Sequence, residues 1–354
     1  MLPQHLGAQL TSRDVVAAAA AAHVLSNILR HIPSAAPAVC DTPDVASVLL
    51  LHLKIDIAAS PPAVALATAS LLLLAALALT PDGYAVSAGQ PLVAPAACAL
   101  LAKHYGNSAV PGLATTELHH AAAACLAALT MRGKTSRKAL ASDAGACLLM
   151  LECFMFYGSS ISGNIAISRK VIPEDWNDEA KTSARMAASA AAEAAAAACA
   201  ISGSLLAALC NLSQLDESRS CLGYMKRSQR CLPPVNSVFR YLSDAHVALI
   251  LKIIMEAKMS ATLRAQLPVI ERGMECALET LGNLARDREG RKCITKNTSW
   301  QTTLASALTN IQDAIMDTAA AAAAAASADA GMNTIPSDSA VDSLRHAIVL
   351  LCRL

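Results

Sequence analysis

The sequence predicts an all-α fold, a right-handed superhelical solenoid of about five irregular three-helix repeats. Apolar residues make up 55% of the 354 residues while aromatic residues make up only 3%. The excess is alanine and leucine, which favour helix. No stretch alternates apolar and polar residues with the period of two that is typical of β-strands. A short motif also recurs along the chain, which indicates that one supersecondary unit is stacked several times.

The recurring motif is a leucine-flanked residue that closes a helix. Its clearest copies are Leu-Cys-Asn-Leu at 209–212 and Leu-Gly-Asn-Leu at 281–284. In both, an arginine follows the asparagine after eight residues and an apolar residue follows it after eleven. Weaker copies lie at 25–28, 74–77 and 126–129. We call the residue at the asparagine position the anchor, and the five anchors are Asn27, Ala76, Ala128, Asn211 and Asn283.

Each anchor closes a predicted long helix. The first of these helices is expected to start after Thr11-Ser12-Arg13-Asp14, whose side chains suit an N-cap. Each interval between anchors leaves room for a turn, a short helix and a second helix before the next long one. The predicted long helices are 12–30, 62–79, 115–131, 183–213 and 262–285.

Two segments identify a family resemblance. Residues 21–28 and 276–285 resemble the third helix of armadillo repeats, and the Glu-x-Arg-x-Cys-Ile/Leu that follows an anchor resembles the first helix of the next unit. The resemblance extends over residues 12 to 315. It implies that third-helix asparagines line a concave groove, where an amide donates to and accepts from the backbone of a bound extended peptide. The matching positions are Asn27, Asn211 and Asn283.

Two departures from the family pattern affect this expectation. The second and third anchors are Ala76 and Ala128. The tryptophan that importin alpha places four residues before its asparagine is replaced by His23, Ala207 and Glu279, which argues against binding of nuclear-localisation signals. The alternative is that the asparagines cap or bridge helix ends without contacting a ligand.

The predicted domain organisation is one solenoid with additions. The solenoid covers residues 1–317, with an exposed loop insertion at 158–182 and an extra helix at 245–258. An alanine-rich linker follows at 318–336 and a C-terminal helix at 337–354. The last helix is either a terminal cap or the start of a further repeat.

Basic residues cluster after three anchors, and in a solenoid these equivalent turns would stack into a basic ridge suited to an acidic ligand. The alternative is a solvated edge, because charged residues mostly lie on soluble surface. The residues of this basic ridge are Arg132, Lys134, Arg137, Lys138, Arg219, Lys226, Arg227, Arg230, Arg286, Arg288, Arg291 and Lys292.

The sequence gives little support for chemistry or metal binding. No glycine-rich phosphate loop, H-E-x-x-H or G-x-S-x-G motif occurs, so no enzyme activity and no cofactor are predicted. The twelve cysteines include no C-x-x-C pair and lie mostly in apolar helical stretches, which favours free thiols in a reducing compartment and argues against zinc. The net charge of +1 gives no overall attraction to nucleic acid.

The function predicted is a non-catalytic scaffold or adaptor that binds a partner protein through the concave third-helix surface or the basic edge. The expected location is the cytoplasm, with a nuclear, cytoskeletal or ciliary assembly as the other options. One alternative is a helical integral membrane protein with spans near 57–81 and 194–215, both free of charge. A weaker alternative is binding of nucleic acid or another acidic ligand through the basic ridge.

Overall fold

A computed structural model describes the chain over residues 2–56, 60–88, 92–103, 113–132, 137–138, 140–141, 144–168, 173, 176–215, 261–286, 288–296, 301–302, 305 and 309. Within these residues the regular structure is helical and no strand occurs. A 3₁₀ turn at Pro33–Ala35 lies between the second and third helices. The helices are α1 (Leu2–Leu10), α2 (Val15–His31), α3 (Ala36–Cys40), α4 (Val45–Leu53), α5 (Pro61–Ala78), α6 (Pro81–Ala88), α7 (Val93–Lys103), α8 (Leu113–Arg132), α9 (Ala144–Ser168), α10 (Asp178–Ser213), α11 (Ala261–Leu284) and α12 (Arg288–Lys296).

The five predicted long helices are α2, α5, α8, α10 and α11, and their ends follow local chemistry. The Asp14 carboxylate accepts hydrogen bonds from the Val16 and Ala17 backbone N–H groups at 2.9 and 3.4 Å, so it caps α2 as predicted. Helix α5 starts with Pro61-Pro62, at positions where a missing N–H costs nothing.

The order of short, second and long helices recurs along the chain. Helices α3, α4 and α5 form one such set, and α6, α7 and α8 form the next. Helix α11 is followed at once by α12, which carries the Glu-x-Arg-x-Cys-Ile segment. This helix order confirms the prediction of an all-α, armadillo-like repeat fold. The number of repeats and the handedness stay predictions.

The chain divides into two compact units. Unit 1 comprises Met1–Cys153 and Ala207–Cys221, and unit 2 comprises Phe154–Leu206 and Leu222–Leu354. In unit 1 the long helices lie side by side, with α2 packed on α5 and α5 packed on α8. Helix α4 packs against α5 and α7, and α7 packs against α8. The many fully buried leucines and alanines of these helices form the core, because small alanine side chains let helix backbones approach closely.

The structure corrects the predicted loop insertion at 158–182. Residues 158–168 continue α9 as helix, and α10 starts at Asp178, before the predicted residue 183. The helix persists through Gly158 because Phe154, Tyr157 and Ile161 share one buried face of α9. The other domain boundaries stay predictions, and the segments 245–258, 318–336 and 337–354 lie outside the described residues.

Helix α1 was not predicted from the sequence. It packs against α2, α3 and α4, and its Leu10 is fully buried. Gly7 of α1 lies directly against the Thr42 side chain, in the space that a Cβ atom would occupy. A nine-residue helix without charged residues gives a weak periodic signal, so packing decides its structure.

Two helices are long and apolar enough to cross a membrane, judged by length and composition. They are Pro61–Ala78 and Asp178–Ser213. In the protein, 67% of the first apolar window and 83% of the second are buried inside the fold. Burial of this extent is expected of core helices, so the structure favours the packed arrangement over the predicted spans at 57–81 and 194–215.

Candidate interaction surface

The long helices of unit 1 expose the same register positions relative to their anchors. Residues eleven before, four before and three after the anchor are exposed or half-buried on each of α2, α5 and α8. Successive positions of this set are seven residues apart, close to two helical turns, so they lie on one side of each helix. We call this surface the long-helix face, and it comprises Val16, Ala20, His23, Val24, Asn27, Arg30, Ala65, Thr68, Leu72, Leu79, Glu117, His120, Ala124, Met131, Ala207 and Asn211.

Large apolar side chains are exposed on the long-helix face. Val16 and Val24 of α2 are 61% and 42% exposed, and Leu79 and Met131 are 45% and 48% exposed. None of these four residues was predicted from the sequence to lie at a binding surface. Leu79 and Met131 could have been predicted from their position, because each is an apolar residue three positions after an anchor.

Arg30 and His120, on the two outer helices of this face, influence each other electrostatically. Arg30 of α2 is close enough to His120 of α8 to contribute to lowering the pKa of His120, although burial is the larger cause. The Nε2 atom of His120 is buried and has no hydrogen-bond partner in the described part of the chain. Helix α5 lies between α2 and α8 and packs against both.

The three anchor asparagines lie in three different environments. Asn27 is half-buried on the long-helix face, and its amide makes no hydrogen bond within the described residues. Asn211 donates from Nδ2 to Thr130 Oγ1 at 3.1 Å and to the Ala127 carbonyl at 3.5 Å, which joins α10 to α8. Asn283, in unit 2, is 3% exposed and engaged within the protein. Asn211 therefore bridges α10 and α8. Of the three anchor asparagines, only Asn27 has a side-chain amide that makes no hydrogen bond within the described residues.

We predict that Asn211→Ala lowers the free energy of unfolding by about 1 kcal/mol, because the substitution leaves Thr130 without its Asn211 donor. Asn27→Ala is the matched control at an equivalent anchor, and it should change stability by less than about 0.5 kcal/mol. Urea unfolding measures the stability of both variants. Adding Thr130→Val and the Asn211→Ala/Thr130→Val double variant completes a double-mutant cycle, which gives the coupling energy between Asn211 and Thr130. Additive effects of Asn211→Ala and Thr130→Val would show that the bridge contributes nothing.

Part of the predicted basic ridge is committed to structural contacts. In unit 1, Arg137 donates to Gln214 Oε1 at 2.7 Å, whereas Arg132 and Lys138 are exposed. In unit 2, Arg291 donates to the carbonyls of Ala285 and Arg286 at 2.9 and 3.1 Å.

Arg291 therefore caps the C-terminal end of α11, where unpaired carbonyls favour a cation. In the copy of the motif at 281–284, the arginine eight residues after the anchor therefore has a structural role. Arg286, Arg288 and Lys292 are exposed. Lys134, Arg219, Lys226, Arg227 and Arg230 lie outside the described residues, and a continuous ridge stays a prediction.

A buried histidine joins three helices of unit 1. His52 of α4 is 9% exposed, its Nδ1 is 3.0 Å from the Ser70 Oγ of α5, and it also hydrogen-bonds the Leu10 backbone at the end of α1. Burial lowers the pKa of His52, and the Leu10 backbone hydrogen bond opposes this only in part. Because burial lowers the pKa of His120 as well, both imidazoles favour the neutral form in the folded protein.

These two histidines predict that the protein loses stability in mild acid. Above the unfolded-state pKa of about 6.5, both states are neutral and the histidines add no pH dependence. Below it the unfolded chain takes up protons that the folded protein resists, so stability falls as pH falls, by up to about 1.4 kcal/mol per pH unit for His52. Urea unfolding at pH 7.5 and 5.5 should show this loss, and His52→Gln should reduce it. Equal pH dependence in the wild type and His52→Gln would contradict the assignment.

The described cysteines are free and mostly buried, which agrees with their predicted packing role. Burial raises the pKa of Cys125 to about 12, and burial, with Glu152 nearby, raises the pKa of Cys153 to about 12. Such thiols are poor nucleophiles and poor metal ligands. Among the residues that the structure describes, no group of three or more His, Cys, Asp or Glu side chains is arranged to hold a metal ion.

Comparison with known proteins gives structural neighbours alone. No protein-family model matches the chain, and no curated protein matches it. A designed armadillo repeat protein, YIII(Dq)4CqI, aligns over 100% of both chains at 13% identity with a TM-score of 0.49. A crystal structure of an engineered protein aligns over 98% of both chains at 14% identity, also with a TM-score of 0.49. Because both TM-scores are below 0.5, the fold assignment rests on the helices and their packing in this chain.

Proposed function

We propose that this chain is a non-catalytic scaffold or adaptor that binds a partner protein on the long-helix face of unit 1. The observation that supports it is the set of exposed apolar side chains on that face, Val16, Val24, Leu79 and Met131. Exposed large apolar residues that recur on adjacent helices of a monomeric fold are typical of interaction sites. A stacked repeat architecture also presents extended surfaces of this kind.

The proposed location is the cytoplasm, with a nuclear, cytoskeletal or ciliary assembly as the alternatives. The basic ridge is a secondary part of the proposal, since Arg137 and Arg291 have structural contacts. Carbonate extraction of cell membranes tests the membrane alternative directly, because a scaffold is released and an integral protein is retained.

Site-directed photocrosslinking tests the proposed surface. A photoreactive amino acid is placed at Leu72 or Ala124 on the long-helix face, and at Ala99 of α7 as the control, an exposed position on a second helix. A discrete crosslinked partner is expected from Leu72 and Ala124 and not from Ala99. Equal crosslinking from all three positions, or isolation of the chain alone as a monomer from native lysate, would contradict the proposal.

A further inference from the structure

Helix α1 is held on unit 1 by few contacts. Within residues 5–10, Gly7 and Leu10 are buried and the other residues are half-buried or exposed. Gly7 lies against the Thr42 side chain, and Leu10 is fully buried. A helix of nine residues is marginally stable by itself in water, so these contacts determine whether α1 stays folded and docked.

The turn between α1 and α2 allows α1 to move without unwinding its neighbour. Thr11 Oγ1 donates to the Ala8 carbonyl at 2.9 Å, and the Ser12 N–H donates to the Gln9 carbonyl at 3.0 Å. These bonds close the end of α1 on itself, while Asp14 caps the start of α2 separately. Undocking of α1 therefore leaves the hydrogen bonds of α2 intact, as is expected of a locally opening element.

His52 connects α1 to the core of unit 1. It lies in α4 and is 9% exposed, and its Nδ1 is 3.0 Å from Ser70 Oγ of α5. The imidazole also hydrogen-bonds the Leu10 backbone at the end of α1. Because α1 covers the side of the imidazole that faces Leu10, undocking of α1 would open that side to water.

Within the described residues, no acidic side chain stabilises an imidazolium at His52. Helix α5 has no titratable side chain, and His52 is the only titratable residue in α4. Helix α1 contributes His5, which is exposed, and α7, which packs against α4, contributes Cys98 and Lys103. The Leu10 backbone hydrogen bond favours the imidazolium, but burial outweighs it and lowers the pKa of His52.

The charged residues that flank α4 point to the same conclusion. Asp44 precedes the helix, Lys54 and Asp56 follow it, and all three are exposed. Exposed charges are screened by water and salt, so they compensate a buried charge poorly. Helix α2 packs against α1 and α5, and its titratable residues are also exposed, namely His23, Arg30 and His31.

We propose that His52 is a pH-sensitive switch, which keeps α1 docked on unit 1 while its imidazole is neutral and releases α1 when it is protonated. The docked form disfavours the imidazolium because it buries it, whereas the undocked form lets water reach it. Release uncovers the apolar site that the Leu10 side chain fills and leaves α2, α4 and α5 folded. This local change is independent of the partner binding proposed for the long-helix face.

The direction and size of the effect follow from linkage. The docked form keeps its full stability above the pKa of about 6.5 of a solvated histidine, and it loses stability as the pH falls below that value. Between pH 7.5 and 5.5 the equilibrium constant for opening of α1 should rise by up to about tenfold.

Hydrogen exchange of the full-length chain at pH 7.5, 6.5 and 5.5 tests this inference. After correction for the intrinsic exchange rate at each pH, the amides of α1 should lose protection as the pH falls, while those of α5 keep theirs. His52→Gln retains a side chain that can hydrogen-bond but cannot be protonated, so it should remove the pH dependence at α1. His5→Gln is the matched control, an exposed histidine on α1 itself, and it should behave as the wild type.

A second measurement leaves His52 in place. An NMR titration of the His52 imidazole should give a pKa below that of a solvated histidine in the wild type. Leu10→Ala weakens the docking of α1 and should therefore move the pKa of His52 towards about 6.5. The switch is ruled out if α1 shows no pH-dependent opening, if His52→Gln opens with the wild-type pH dependence, or if Leu10→Ala leaves the titration unchanged. Simultaneous loss of protection in α1 and α5 would also rule it out, because it would mean global unfolding.

Discussion

Gly83→Ala should lower the free energy of unfolding of unit 1 by about 2–3 kcal/mol, because the new methyl group has no space. A Cβ atom on Gly83 would lie 2.6 Å from the Leu77 carbonyl oxygen, 2.8 Å from the Leu77 Cα and 2.7 Å from Thr80 Oγ1. Two of these atoms are backbone at the end of α5, so relief requires the turn itself to move. The Gly83 N–H donates to Thr80 Oγ1 at 3.1 Å, and this contact would be lost too.

Gly163→Ala is the matched control because it is the same chemical change in a helix. No atom lies within 4 Å of the position that a Cβ would take on Gly163 in α9. Alanine is favoured over glycine in a helix by about 1 kcal/mol, so this variant should be slightly more stable than the wild type. Thermal unfolding followed by circular dichroism, with hydrogen exchange at α5 and α6, measures both. A loss of stability in Gly163→Ala equal to that in Gly83→Ala would remove the steric explanation.

Leu49→Ala in α4 should destabilise unit 1 by about 2–5 kcal/mol, because it opens a cavity in the core. Leu49 is fully buried where α4 packs against α5 and α7. Leu51, two residues later in the same helix, is 62% exposed and offers a control with identical chemistry. Leu51→Ala should change stability by less than about 0.5 kcal/mol.

Urea unfolding of the two leucine variants gives the comparison. The midpoint should fall for Leu49→Ala and stay near the wild-type value for Leu51→Ala. Equal losses in both variants would mean that α4 does not bury the face that the structure shows.

The long helices were predictable because they bury a whole side over many turns. Helix α5 was predicted at 62–79 and found at Pro61–Ala78, and α11 was predicted at 262–285 and found at Ala261–Leu284. In such helices local propensity and core burial both favour helix, so the sequence pattern of apolar residues predicts the helix bounds well. Residues 158–168 were predicted as loop because glycine and serine are common there, and the burial of Ile161 and its neighbours overrode that preference.

The candidate site was only partly predictable. The anchors themselves differ in burial, since Asn27 and Asn211 are half-buried whereas Ala76 and Ala128 are buried, and their role in binding stays a prediction. The sequence offered a bridge between helix ends as an alternative role for the asparagines, but it did not identify the partners of Asn211, which lie 81 and 84 residues earlier in the chain. It also gave Arg291 a place on a basic ridge, where the structure shows a helix cap.

The sequence by itself determined the all-α class, the repeat pattern and the approximate position of each long helix. These properties depend on side-chain periodicity and helix propensity, which are local along the chain. Tertiary structure alone decided which anchor amide is free, which leucines are exposed and which arginines are committed to carbonyls. Those properties depend on contacts between residues far apart in sequence, and His52 is the clearest case: its partners Leu10 and Ser70 are brought together only by the packing of α1, α4 and α5.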